Sequence, residues 1–226
     1  VSRADEIRAG IAAVEARIAA ACAASGRNRG DVQLVAVTKT FPASDVDHAI
    51  AAGMTDVGEN KVQEARDKKP LVAGQGKGNA RWHLIGHLQS NKVKDAVRLF
   101  DVLQAVDSTE LAEKIARAAD AAGKRQEILL QVNVGGEEQK SGAAPAEVAS
   151  MVKRIGGFSG VRLAGLMAIP PAGEAEATRR YFRDLRAMRD DLGLAELSMG
   201  MTDDFEVAIE EGATILRVGR AIFGNR

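Results

Sequence analysis

The chain has little that could staple it, carry it across a membrane, or bind a partner by charge alone. A single cysteine, Cys22, among 226 residues excludes an intramolecular disulfide, a four-thiolate zinc set and a paired-thiol redox motif, and it suits a reducing compartment. An excess of one charge sign is missing too: 31 Lys and Arg against 31 Asp and Glu give a formal net charge of zero. That excludes nucleic-acid or membrane-surface binding driven by bulk charge. No apolar run approaches the roughly 20 residues of a membrane span, and charges interrupt the apolar stretch near the start, VSRADEIRAGIAAVEARIAA, as they would not in a signal peptide. The expectation is a soluble cytoplasmic protein. Aromatics are scarce, with six Phe, one Trp and one Tyr, yet 46% of the chain is hydrophobic. The core must therefore be built from Ala, Val, Leu and Ile, and disorder is excluded.

What is present is alternation. An opening helix from about Ala4 to Ala24 places Ile7, Ile11, Val14 and Ile18 at helical spacing. Short apolar runs then read as strands at Gln33 to Thr38, Asp56 to Gly58, Arg81 to Ile85, Val102 to Val106, Ile128 to Val134, Val161 to Ile169, Glu196 to Met199 and Thr214 to Val218. Helical stretches separate them. Ser44, Asn60, Ser90 and Ser108 are candidate helix caps, and Gly53, Gly123, Gly193 and Gly212 candidate stops. Eight strand–helix units with strands too apolar to leave a face in water predict one (β/α)8 barrel domain spanning residues 1–226, with an additional N-terminal helix. An open doubly wound sheet is the alternative. The stretch AGQGKGNA from Ala73 to Ala80 reads as a loop and lacks the residue order of a Walker A motif.

In a barrel, function sits at the C-terminal ends of the strands. Collected there are Lys39, Asn60, His83 with His87, Asp107, Asn133, Met167, Ser198 to Met201 and Arg217 to Arg220. Lys39 shares parity with Val35 and Val37, so if those face the interior its amine emerges inside the mouth; otherwise it is an ordinary solvated lysine. The seventh and eighth loops carry Gly200 and Gly219, and barrels bind phosphate at this place through backbone N–H groups and a short extra helix. Arg217 either pairs with Asp203 or Asp204 or points at a ligand inside the ring. A lysine opposite a phosphate site fits an aldehyde bearing a phosphate, which leaves pyridoxal 5′-phosphate and an open-chain sugar phosphate open. His83 and His87 have zinc-helix spacing, but in a strand-like segment broken by Gly86 they read as packing or hydrogen-bonding residues rather than metal ligands. Lys140 reads as a solvated lysine in a polar loop.

The stretches AVTKT around Lys39, GENKVQEA from Gly58, WHLIGHLQSNK from Trp82, VNVGGEEQKSG from Val132, GLMAIPP from Gly165, LSMGMTDDFEVAI from Leu197 and RVGRAIFG from Arg217 together resemble the pyridoxal phosphate homeostasis protein family over nearly the whole chain. The resemblance implies a fold like the N-terminal barrel of alanine racemase. It implies that Lys39 holds pyridoxal 5′-phosphate as an internal aldimine, that Arg217 faces the pyridine nitrogen, and that Asn60 lies beside the ring. Ser198, Gly200, Gly219 and Arg220 would bind the phosphate. Where the family usually has threonine this chain has Arg220, so a hydroxyl contact is lost while the backbone N–H remains. The implied role is non-catalytic storage or delivery of the cofactor to apo-enzymes. The alternative is an amino-acid racemase, which needs a base on each face of its substrate; the sole tyrosine, Tyr181, lies in an outer helix, and the sequence stops at Arg226 just after the eighth strand, where such racemases continue into a second domain.

Overall fold

The computed structural model describes residues 1–72, 80–137, 139 and 141–225. The loop expected at 73–80, apart from its last residue, and Lys140 lie outside the described residues. Eight parallel strands close on themselves in sequence order. They are β1 (Gln33–Val37), β2 (Asp56–Glu59), β3 (Arg81–Leu84), β4 (Val102–Val106), β5 (Gln126–Gln131), β6 (Val161–Met167), β7 (Glu196–Ser198) and β8 (Ile215–Val218), and β1 pairs with β8 in the register Val35 to Arg217. The open-sheet alternative is thereby excluded.

The strands' outward residues, such as Leu34, Ala36 and Leu216, pack beneath the helices in the main core, while Val35, Ala105, Leu129, Ala164, Met167 and Ile215 form a separate small cluster within the ring. Around the strands lie α1 (Arg3–Ala24), α2 (Ala43–Ala51), α3 (Val62–Lys68), α4 (Val93–Leu99), α5 (Thr109–Ala121), α6 (Val148–Ile155), α7 (Ala175–Asp191), α8 (Phe205–Glu210) and α9 (Arg220–Phe223). All four expected stop glycines adopt positive φ just beyond a helix. The expected caps fare less well. Ser108 does accept the Leu111 N–H. Asn60 does not cap, because α3 starts two residues later behind Lys61; α2 starts behind Pro42, and a 3-10 turn at Ser90–Lys92 precedes α4. β5 begins two residues earlier than expected, and β5 and β6 end at Gln131 and Met167, so Val134 and Ile169 leave the sheet and belong to the rim.

The opening helix supports the far end of the chain. Ser2 caps α1 through a reciprocal pair of bonds with Asp5. A Cβ on Gly10 would meet the Ile222 carbonyl oxygen at 2.5 Å, so only glycine lets α1 lie directly on α9. Arg3 then donates to the Phe223 carbonyl (2.9 Å) and to Asp45 (2.7 Å), tying α9 to α1 and α2.

Candidate functional site

A cavity of about 260 Å³ opens at the C-terminal ends of the strands, and Lys39, Asn60, Arg217, Gly219 and Arg220 all line it. Five of the seven residues expected from sequence thus meet in one place. Val37 lines the same cavity and Val35 sits in the inner cluster, so the parity argument for Lys39 holds. Phe41, Ile169, Met201 and Asp203 complete much of the wall. Sequence reading places Met201 at the strand ends and Asp203 near Arg217 but misses Phe41 and Ile169, although Ile169, apolar yet partly exposed just after a strand, carries a usable signal.

Arg217 is nearly fully buried, and its guanidinium donates to Ser198 Oγ (2.6 Å) and to the Ala168 carbonyl (2.9 Å). Burial pulls its pKa down to about 10, against the opposing charge of Asp204. Neither expected carboxylate partner accepts a hydrogen bond from it. Instead the serine hydroxyl donates to Gln104 Oε1 (2.5 Å), Gln104 Nε2 meets His83 Nδ1 (2.9 Å), and His83 Nε2 meets Asp56 Oδ1 (2.8 Å). Burial works against the Asp56 charge, but bonds from His83 and Thr55 and the nearby Arg81 outweigh it and hold the carboxyl below its usual 3.8. One relay therefore crosses the barrel from the start of β2 to the cavity and joins Asp56 to Arg217 through His83, Gln104 and Ser198.

This arrangement corrects two placements. His83 lies within β3 and is wholly buried in the relay rather than at the mouth; only His87 is at the surface, 3.5 Å from Asp107. Ser198 is also fully buried, and its hydroxyl serves Arg217 and Gln104; neither Ser198 nor Gly200 lines the cavity. Gly200 has φ +93°, and a Cβ there would meet Ala208 Cβ at 2.6 Å, so packing against α8 already demands glycine. No group of three or more His, Cys, Asp or Glu side chains among the described residues could hold a metal.

At the eighth loop Gly219 precedes α9, and a Cβ on it would sit 3.3 Å from the Val37 carbonyl, a tight fit against the end of β1. The first N–H groups of α9, beginning with Arg220, lack intrahelical acceptors, as at the start of any helix. The Arg220 side chain turns instead to Asp203 in an exposed ion pair across the rim. Across the cavity, Thr40 has φ +68°, the only non-glycine residue with positive φ among the described residues. For a β-branched residue this costs about 1–3 kcal/mol, which surrounding contacts must offset.

Residues 5–226 match the family model described as alanine racemase, N-terminal domain. The pyridoxal phosphate homeostasis proteins of Pseudomonas aeruginosa and Aquifex aeolicus are 43% and 40% identical to this chain, over 96% and 93% of it and 94% of each relative. The chain belongs to the pyridoxal phosphate homeostasis protein family. Among solved structures, PipY of Synechococcus elongatus with PLP bound is 37% identical, with a TM-score of 0.81 over 92% of this chain and 100% of that one. A protein from Bifidobacterium adolescentis reaches a TM-score of 0.92 at 41% identity over 99% of this chain and 97% of that one. Alanine racemase from Streptomyces lavendulae, 19% identical with a TM-score of 0.73 over 99% of this chain and 58% of its own, shares the fold. The closed strand order agrees with that membership, and Arg220, where the resemblance implies a threonine, is engaged with Asp203.

Proposed function

We propose that this protein binds pyridoxal 5′-phosphate and keeps it in reserve for apo-enzymes in the cytoplasm, holding it as a lysine aldimine on Lys39 without itself turning over a substrate. The observation that carries this reading is that Lys39, just beyond β1, and Arg217, on the neighbouring β8, line one cavity beside the glycine that opens α9. The residues suit the group. A primary amine condenses with an aldehyde with loss of water, the turn at Gly219 and the N–H of Arg220 suit a phosphate, and Asn60 supplies a wall beside a ring. When bound, the cofactor supplies an electron sink to amines joined to it, and here the protein limits that capacity. A guanidinium can only donate, so Arg217 favours an unprotonated pyridine nitrogen and a weak sink.

Ser198 enters this reading through Arg217 rather than through the phosphate, since its hydroxyl already has two protein partners. Gly200 supports the phosphate loop by admitting α8 beneath it, and its carbonyl accepts the Arg217 N–H (3.0 Å). The test is a visible absorption spectrum of the protein with pyridoxal 5′-phosphate before and after borohydride, followed by peptide mapping. A reduced adduct on Lys39 supports the reading; an adduct elsewhere, or equal affinity for pyridoxal and its phosphate, overturns it.

The racemase alternative would need a second base at the cavity, and Tyr181 does not line it. Tyr181 lies on α7, where it accepts from Arg180 (2.5 Å) and receives that guanidinium over its ring. Incubation with L-alanine in deuterated water should give no catalytic α-deuterium incorporation and no accumulating D-alanine.

A further inference from the structure

Lys39 is held from both sides by charged residues that do not touch the cavity. On its N-terminal side the Thr38 hydroxyl donates to Glu59 Oε1 (2.6 Å), and the Thr38 carbonyl accepts from Lys68 Nζ (2.8 Å). The same ammonium bonds the same Glu59 oxygen at 2.6 Å. On its C-terminal side the N–H of Thr40, the residue with positive φ, is bound by Glu64 Oε1, and Glu64 in turn lies 3.4 Å from Lys68. Glu59 is completely buried and the Lys68 side chain is 7% exposed, so two charges have been withdrawn from water beside the cavity wall. Burial pushes the Glu59 carboxyl above its usual range in spite of Lys68 and Thr38. A hydrophobic pair of similar shape would fill this space at lower desolvation cost. What the hydrophobic pair could not do is anchor the Thr38 carbonyl and hydroxyl on one side of Lys39, as Glu64 anchors the Thr40 N–H on the other.

We propose that Glu59, Lys68 and Glu64 form a brace that fixes the backbone on both sides of Lys39, holding Thr40 in its left-handed conformation so that the Lys39 amine enters the cavity. All three are positioning residues, acting through Lys39. The inference rests on Lys39 being the aldehyde acceptor and specifies what makes it so. Without the Glu64 bond Thr40 relaxes toward negative φ, and a rotation at that residue redirects the chain leaving Lys39. The brace carries two carboxylates against one ammonium, so it also places net negative charge against the two residues that flank Lys39.

Glu64→Ala is the primary test, because Glu64 is partly exposed and its loss leaves the buried Glu59–Lys68 pair intact. Lys68→Met alone would strand a buried carboxylate, so the second variant is the double Glu59→Gln/Lys68→Met, which removes both charges. Two quantities are read. The first is the rate of imine formation with pyridoxal 5′-phosphate, together with the pH midpoint of the visible band. The second is the ionisation curve of Lys39 in the apoprotein, from competitive reductive methylation and peptide mapping, which needs no cofactor. In both variants imine formation should slow by about tenfold or more, and in Glu64→Ala, which removes one negative charge, both pH midpoints should also fall. Glu64→Gln, which keeps an acceptor for the Thr40 N–H, should recover the rate to within about threefold. Wild-type rates and midpoints in both variants would overturn the brace. If the wild-type protein itself forms no adduct on Lys39, the carrier reading fails, and the apoprotein ionisation curve still decides the brace: a shift in Glu64→Ala supports it and an unchanged curve overturns it.

Discussion

Replacing Ser198 by alanine separates two roles for one hydroxyl. If the hydroxyl served only a phosphate, the apoprotein would melt as before and only cofactor affinity would fall. The structure instead gives it two buried protein partners, Gln104 Oε1 at 2.5 Å and the Arg217 guanidinium at 2.6 Å. A neutral hydrogen bond contributes about 1 kcal/mol and one to a charged group about 1.5–3 kcal/mol. Arg217 keeps the Ala168 carbonyl, and the Gln104 amide can turn, so part of the loss is recovered. The expected destabilisation of the apoprotein is about 2–4 kcal/mol, or about 5–15 °C in melting temperature for a chain of this length. Thermal melting by circular dichroism without cofactor measures it. Gln104→Leu should be destabilising by itself, and the double variant should cost less than the sum of the two, because both remove the same bond. An unchanged apoprotein melting temperature in Ser198→Ala, or strict additivity in the double variant, would refute the relay.

Lys39→Ala should abolish the borohydride-fixed adduct while leaving the melting temperature within a few degrees, read by absorbance and circular dichroism. Gly219→Val should weaken affinity for pyridoxal 5′-phosphate more than for pyridoxal in paired titrations, because a branched side chain would collide with β1 and block the backbone from the phosphate. Gly165→Ala should disrupt the closure between β6 and β7, since the new Cβ would lie 2.0 Å from the Glu196 carbonyl oxygen; a loss of about 1–3 kcal/mol or more should appear in urea denaturation. Asp56, whose folded pKa lies below 3.8, stabilises the fold above that value and loses its contribution as pH falls through the lowered one, so urea midpoints taken between about pH 5 and 3 should drop more steeply in wild type than in Asp56→Asn.

The sequence by itself determined the eight-unit barrel, because strand and helix periods are local properties and short apolar runs alternating with amphipathic stretches leave few ways to bury both faces of a sheet. It also offered Lys39 and Arg217 as candidates, since strand parity is counted along the chain, while leaving open a solvated lysine and an arginine paired with Asp203 or Asp204. Tertiary structure decided what those residues answer to. Asp56, His83, Gln104, Ser198 and Arg217 come from five strands and meet only when the barrel closes; polar residues within apolar strands, such as Gln104 in VLQAV, were the one local sign of it. The hydroxyl of Ser198 has the same chemistry in either role, and only the direction of its side chain assigns it to Arg217. The same holds for Glu59, at the end of β2, and for Glu64 and Lys68 on α3, to which the sequence assigned no role. Their place beside Thr38 and Thr40 depends on β2 pairing with β1, a contact between residues about twenty positions apart that no local pattern encodes.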